Sequence, residues 1–217
     1  MKKLRALVLG ATGATGLELV KLLLNDSNII EVSVFVRRKF NIKHPKLIVH
    51  EIDFSRLYNY SQLIRGDILF SALGTTIKDA GSKKKQYLVD YTYQYEFAKI
   101  ASKNKVAHYS LVSSVGADKK SWFFYPRIKG SLEEAIKCLH FHKIQIFQPP
   151  SLIRQAHSIR YREKISLYVL KLFNSIGIFK SFTPLLVKDL AMKMVVEIKN
   201  NSSDKVTVYK PEDLLRF

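Results

Sequence analysis

Residues 4–16 read Leu-Arg-Ala-Leu-Val-Leu-Gly-Ala-Thr-Gly-Ala-Thr-Gly, a short apolar run that closes on Gly10, Gly13 and Gly16. An apolar strand, a glycine-rich turn and an amphipathic helix carrying Leu17, Val20, Leu23 and Leu24 form the arrangement that holds a dinucleotide's pyrophosphate. Gly10 allows the tight turn, Gly13 lets backbone N–H groups approach the phosphates, and Gly16 lets helix and strand pack closely. The free N–H groups and the positive end of the helix dipole then attract the anion. A strand–turn–helix that uses its glycines only for packing would read alike. The position directly behind a first strand favours the nucleotide.

Outward from that turn, short apolar runs alternate with helical periods, the pattern of a parallel sheet wrapped by helices. The runs predict strands at about 4–9, 31–36, 47–52, 68–72, 108–112 and 144–147, with helices over 14–24, 55–64, 83–103 and 128–140. The fold class is α/β, a doubly wound parallel sheet in a single domain, 1–217. After Pro149 the order changes: helical periods at 162–173 and 187–199 precede a strand at 206–209. Ligands of doubly wound folds lie across the carboxyl ends of the strands. Residues 150–217 are therefore expected to supply a small helical cover on the substrate side.

Composition narrows the class. The 217 residues are 47% apolar and 12% aromatic, enough to fill a sizeable core and to exclude global disorder. A lone cysteine, Cys138, leaves no internal disulfide and suits a reducing cytoplasm. Its place on the apolar side of its helix predicts a core residue. The basic N-terminus imitates a leader peptide, but glycines break the apolar stretch after Leu9 and Glu18 interrupts the next one. A net charge of +18 raises nucleic-acid and anionic-membrane readings. The lysines are scattered in small groups such as 83–85 and 119–120, which favours a solvated basic surface that steers anionic nucleotides. The apolar stretch 160–182 with basic flanks reads as a lid before an in-plane membrane helix. His140 and His142 suit no metal geometry, so no metal is expected.

The strand ends carry the chemistry. A NAD site usually places Asp or Glu at the end of the second strand to bind the ribose 2′-hydroxyl. Here that strand ends in Arg37 and Arg38, and guanidinium groups pair bidentately with phosphate, which predicts NADP(H). Asp53 and Phe54 follow the third strand, where an acidic side chain can reach an adenine amine. Ala72, Leu73, Gly74 and Thr75 follow the fourth, where a small backbone can run beside the nicotinamide ribose. The fifth ends in Ser113 and Ser114, and Tyr125 and Lys129 follow four apart on one helix face. An ammonium near a phenol favours the phenolate and predicts a lowered pKa for Tyr125, making it a usable acid/base. Lys129 can also hold ribose hydroxyls, and a serine hydroxyl can bond a carbonyl oxygen. Pro126 biases Tyr125 away from helical angles, which predicts Tyr125 at the helix N-cap.

Taken together, the Gly-x-x-Gly-x-x-Gly turn, Arg37-Arg38, Leu73-Gly74-Thr75-Thr76, Ser113-Ser114 with Gly116-Ala117-Asp118, and Tyr125-x-x-x-Lys129-Gly130 resemble the short-chain dehydrogenase/reductase superfamily. The likeness is to its small atypical branch containing the Tat-interacting oxidoreductase and spans about residues 4–151. It implies a Rossmann-like fold, NADPH binding, Tyr125 as proton donor and acceptor with Lys129 as partner, and Ser114 ahead of Ser113 as carbonyl polariser. It also implies cofactor contacts from Thr12, Gly13, Ala14, Thr15, Arg37, Arg38, Leu73 and Gly74, with Leu152 and Arg160 closing on the nicotinamide side. The reading is an NADPH-dependent reductase of a small carbonyl substrate, monomeric or homodimeric. Its rivals are an NADPH-binding regulatory protein without turnover and a basic membrane or nucleic-acid binder; salt-sensitive binding indifferent to cofactor would mark the last.

Overall fold

The computed structural model describes residues 3–154, 184–199 and 203–215. Seven parallel strands form one sheet: β1 (Leu4–Leu9), β2 (Ile29–Val36), β3 (Leu47–Glu51), β4 (Ile68–Ser71), β5 (His108–Val112), β6 (Lys143–Phe147) and β9 (Val206–Tyr209), in the order β3-β2-β1-β4-β5-β6-β9. Central parallel strands are covered on both faces, so they read as unbroken apolar runs. Along β1 the side chains alternate between two cores, Ala6 and Val8 on one face, Leu7 and Leu9 on the other. The register is fixed accordingly, with Val8 standing between Val34 of β2 and Phe70 of β4.

Helix α1 (Ala14–Asn25) buries Leu19, Val20, Leu23 and Leu24 on the first face. The opposite face receives the 3-10 helix 54–63, a chain of helices made of α2 (Ile77–Ala80), α3 (Lys83–Tyr87), a π-helical turn at Leu88–Thr92 and α4 (Tyr93–Lys103), and then α5 (Phe124–Lys137). A short parallel pair, β7 (Leu152–Ile153) and β8 (Leu185–Leu186), comes after β6. Helix α6 (Val187–Val196) packs on α1, and α7 (Pro211–Leu214) closes the described chain.

Several features differ from the sequence reading, among them the helix expected over 128–140, which runs from Phe124 to Lys137. The segment expected as one helix over 83–103 contains the π turn, because buried polar side chains at 86, 90 and 94 take partners across the sheet edge. The helix expected at 55–64 is 3-10 and kinked at Arg56 (φ −125°, ψ 37°). Cys138, expected in the core, is exposed just past the end of α5. Within the 150–217 segment expected as a cover, β9 pairs with β6 in the main sheet and α6 packs on α1; the lid expected over 160–182 and the helix expected at 162–173 lie outside the described residues.

Candidate functional site

Because the main sheet is wholly parallel, its strands all end at one edge. The residues directly beyond them are Gly10, Arg37, Ile52, Ala72, Ser113, Gln148 and Lys210. Between β1 and β4 the strand order reverses direction, which opens a crevice there.

One wall of this crevice is the glycine turn. Gly10 has φ +87°, and a Cβ there would stand 2.6 Å from the Ala72 carbonyl and the Leu73 nitrogen. A Cβ at Gly16 would sit 2.1 Å from the Gly10 oxygen. Only hydrogen fits either place, so α1 starts against the turn. The Gly13 N–H donates to the Gly10 carbonyl at 2.9 Å, and no side chain caps α1. Thr12 is exposed, Ala14 half-buried and Thr15 buried. A dense run of backbone N–H groups with no side-chain acceptor is what a pyrophosphate requires, so these residues fit a dinucleotide.

Arg37 and Arg38 are both exposed immediately beyond β2. Asp53 is also exposed, but its carboxylate accepts from the Ser55 N–H at 2.8 Å and the Ser55 hydroxyl at 2.7 Å. It thus caps the 3-10 helix, and the Ser55 bonds hold its pKa below the ordinary value. The side chain of Phe54 is buried against Tyr93, with ring centroids 5.6 Å apart, which leaves only its backbone for a ligand. After β4, the Thr75 N–H donates to Asp90 Oδ2 at 3.1 Å and the Thr75 carbonyl accepts from Gln86 Nε2 at 3.0 Å. Leu152 lies half-buried in β7.

On the β5 side, Tyr125 sits within the first turn of α5, not at its N-cap, which is Phe123. Pro126 causes no break because first-turn nitrogens have no intrahelical acceptor. Tyr125 and Lys129 consequently share a helix face, and the Lys129 ammonium lies 6.0 Å from the centre of the Tyr125 ring. That ammonium is 3.7 Å from Asp90 Oδ1 and donates to the Val112 carbonyl at 3.3 Å. Lys129 and Asp90 are both buried. The expected lowering of the Tyr125 pKa is overturned. Tyr125 as a whole residue is 39% exposed, but protein packed around the phenol pushes it above its ordinary value, Lys129 pulls it down, Asp90 pushes it up, and the Ser114 hydroxyl pulls it down. The ammonium's charge is shared with a carboxylate, so desolvation prevails.

The two serines divide. Ser113 is buried and donates its hydroxyl to Glu133 Oε1, whereas Ser114 stands beside the Tyr125 phenol. Glu133, one turn beyond Lys129, also accepts from Gln148 Nε2 at 3.0 and 3.1 Å, and burial raises its pKa. Ser113 is thereby committed to the protein interior.

Asp90, Glu133 and Gln148 were not foreseen from the sequence. For Asp90 a signal existed: Gln86, Asp90 and Gln94 recur every four residues, a polar row on a helix whose same side buries Phe97 and Ala101. Tyr87, Tyr91 and Tyr95 form the neighbouring row, stacked at 5.0 and 5.9 Å.

A wholly parallel sheet between helices, with a glycine turn at its carboxyl edge, is the architecture of a nucleotide-binding protein. Residues 10–139 match the NAD(P)H-binding family model. Over 157 residues the chain is 32% identical to Protein HTATIP2 of Rattus norvegicus, covering 70% of this chain and 64% of that protein. Over 172 residues it is 33% identical to Protein FMP52-1, mitochondrial, of Scheffersomyces stipitis, covering 76% and 75%. The crystal structure of Bordetella bronchiseptica WbmH in complex with NAD+ superposes with a TM-score of 0.70 at 16% identity, over 96% of this chain and 75% of that one. The chain belongs to the NAD(P)H-binding family, in its atypical short-chain dehydrogenase/reductase branch. The alignments span about two thirds to three quarters of these relatives' length. No helix among the described residues is long and apolar enough to cross a membrane.

Proposed function

We propose that the chain is an NADPH-dependent reductase of a small carbonyl compound. The observation that carries this reading is the meeting of Tyr125, Ser114 and Lys129 at the sheet edge that also bears the glycine turn. In this reading Gly10, Thr12, Gly13, Ala14, Thr15 and Gly16 wrap the pyrophosphate with backbone N–H groups. Arg37 and Arg38 hold the 2′-phosphate, and Asp53 with the Phe54 backbone borders the adenine. Ala72, Leu73, Gly74 and Thr75 flank the nicotinamide ribose, whose hydroxyls Lys129 reaches, and Leu152 lies on the nicotinamide side. The bound cofactor supplies hydride to the carbonyl carbon. Tyr125 gives its phenolic proton to the carbonyl oxygen, which Ser114 holds by hydrogen bond, and Lys129 offsets the charge left on the phenolate.

The test is consumption of NADPH across a panel of aldehydes and ketones. Tyr125→Phe should cut turnover at least about 100-fold while leaving NADPH binding intact. Undiminished turnover in that variant would refute the assignment. A second reading, an NADPH-binding sensor without turnover, draws on one observation: the Lys129 ammonium is paired with Asp90. Tight NADPH binding with no substrate consumed would establish it. The proposed compartment is the cytoplasm, and because a yeast relative carries the word mitochondrial in its name, organelle fractionation is the check.

A further inference from the structure

Asp90 is fully buried on the π turn, among groups the proposed reaction uses. Its Oδ2 accepts from the Thr75 N–H, while Oδ1 has no hydrogen-bond partner and faces the Lys129 ammonium 3.7 Å away. Gly74 packs on that same oxygen: a Cβ there would stand 3.3 Å from Oδ1. The Asp90 carbonyl accepts from Gln94 Nε2 at 2.9 Å, and Gln94 Oε1 accepts from the Ser71 hydroxyl at 2.8 Å. Burial pushes the Asp90 carboxyl above its ordinary pKa, while the Lys129 ammonium and the Thr75 N–H pull it down, so its charge depends on Lys129 first. A single π turn in an otherwise α-helical run is a common device for aiming a side chain at a site.

We infer that Asp90 is a positioning residue that ties Lys129 to the 72–76 loop, takes up part of the ammonium's charge, and so keeps the Tyr125 phenol in its proton-donating form. This rests on the reductase reading for its use, though not for its test. The groups facing the carboxylate are Lys129 and Tyr125 from α5, and the Thr75 N–H and Gly74 from the loop after β4. Lys129 in turn faces the Val112 carbonyl of β5 and lies near Glu133 of its own helix. With Asp90 present, Lys129 cannot act on the phenol at full strength. Without it, the positive charge beside Tyr125 is unopposed, and the pair gives up its first proton more readily.

The test is ultraviolet titration of the unliganded full-length chain, with the Tyr125 contribution isolated by subtracting the Tyr125→Phe protein. In Asp90→Asn, which keeps an oxygen for Thr75, phenolate should appear about one pH unit lower than in the parent. Asp90→Glu should titrate like the parent, an outcome that a packing role alone would not produce. An Asp90→Asn curve superposing on the parent's would overturn the inference. Should Asp90→Asn fail to fold, Asp90→Ser removes the same charge: phenolate should again appear at lower pH than in the parent, and an unmoved curve would count against the proposal. No step of this measurement uses cofactor or turnover, so an inactive chain with the predicted shifts would sink the reductase reading and leave this one standing.

Discussion

At the residue scale, the site is governed by which charges are paired and which are left open. Arg37 and Arg38 project into solvent just beyond β2, where a guanidinium can meet a phosphate without first breaking a buried contact. Replacing them together by Ala and Asp should lower the preference for NADPH over NADH at least about tenfold, measured as the ratio of dissociation constants. An unchanged ratio would refute their assignment. Glu133 illustrates the opposite condition. Its carboxyl is buried, with a pKa raised above its ordinary value, so the folded chain keeps this proton at pH values where the unfolded chain has lost it. Stability from this residue is therefore present below its ordinary pKa and declines as pH rises through the window between the ordinary and raised values. Glu133→Gln should flatten that part of the stability–pH curve in urea unfolding, and a slope identical to the parent's would contradict the account. Ser113 and Ser114 are indistinguishable as letters, since both come directly after β5. The hydroxyl of the first is claimed by Glu133, which approaches from a helix twenty residues later.

At the element scale, the turn between β1 and α1 is built from close approaches that leave no room for a side chain. Gly16→Ala would press a methyl onto the Gly10 carbonyl and should cost about 3 kcal/mol of stability, together with loss of nucleotide binding. A thermally unaltered Gly16→Ala protein that still binds NADPH would show that the turn can open. This element was legible because three glycines in a fixed spacing behind an apolar run have few other structural uses. The helices on the opposite face were less so. The period of apolar residues continues through 83–103 without a break, and the π turn inside it arises from what Gln86, Asp90 and Gln94 meet across the sheet edge. The start of α5 departs from expectation because packing outweighs a local bias. The bias of Pro126 against a helical neighbour is weaker than the packing that fixes residues 124–137, with Ile128, Leu132 and Ile136 buried on one side.

At the scale of the whole molecule, 36 basic residues face 18 acidic ones. Self-repulsion of that size is screened by salt, so the melting temperature should rise by a few degrees between low ionic strength and about 0.5 M. A melting temperature indifferent to salt would indicate that the positive charges are locally compensated. Taken by itself, the sequence determined the alternation of strands and helices, the parallel sheet, the glycine turn and the residue types at each strand end. Those features come from local periodicity and from backbone sterics, which act within a few residues. Only the tertiary structure decided how the charges of the site are shared. Asp90, Lys129 and Tyr125 are brought together from two separate helices, and Ser113 is turned inward by Glu133. The physical reason is that desolvation and Coulomb energy depend on distance and burial in space, and neither is written in the spacing of residues along the chain.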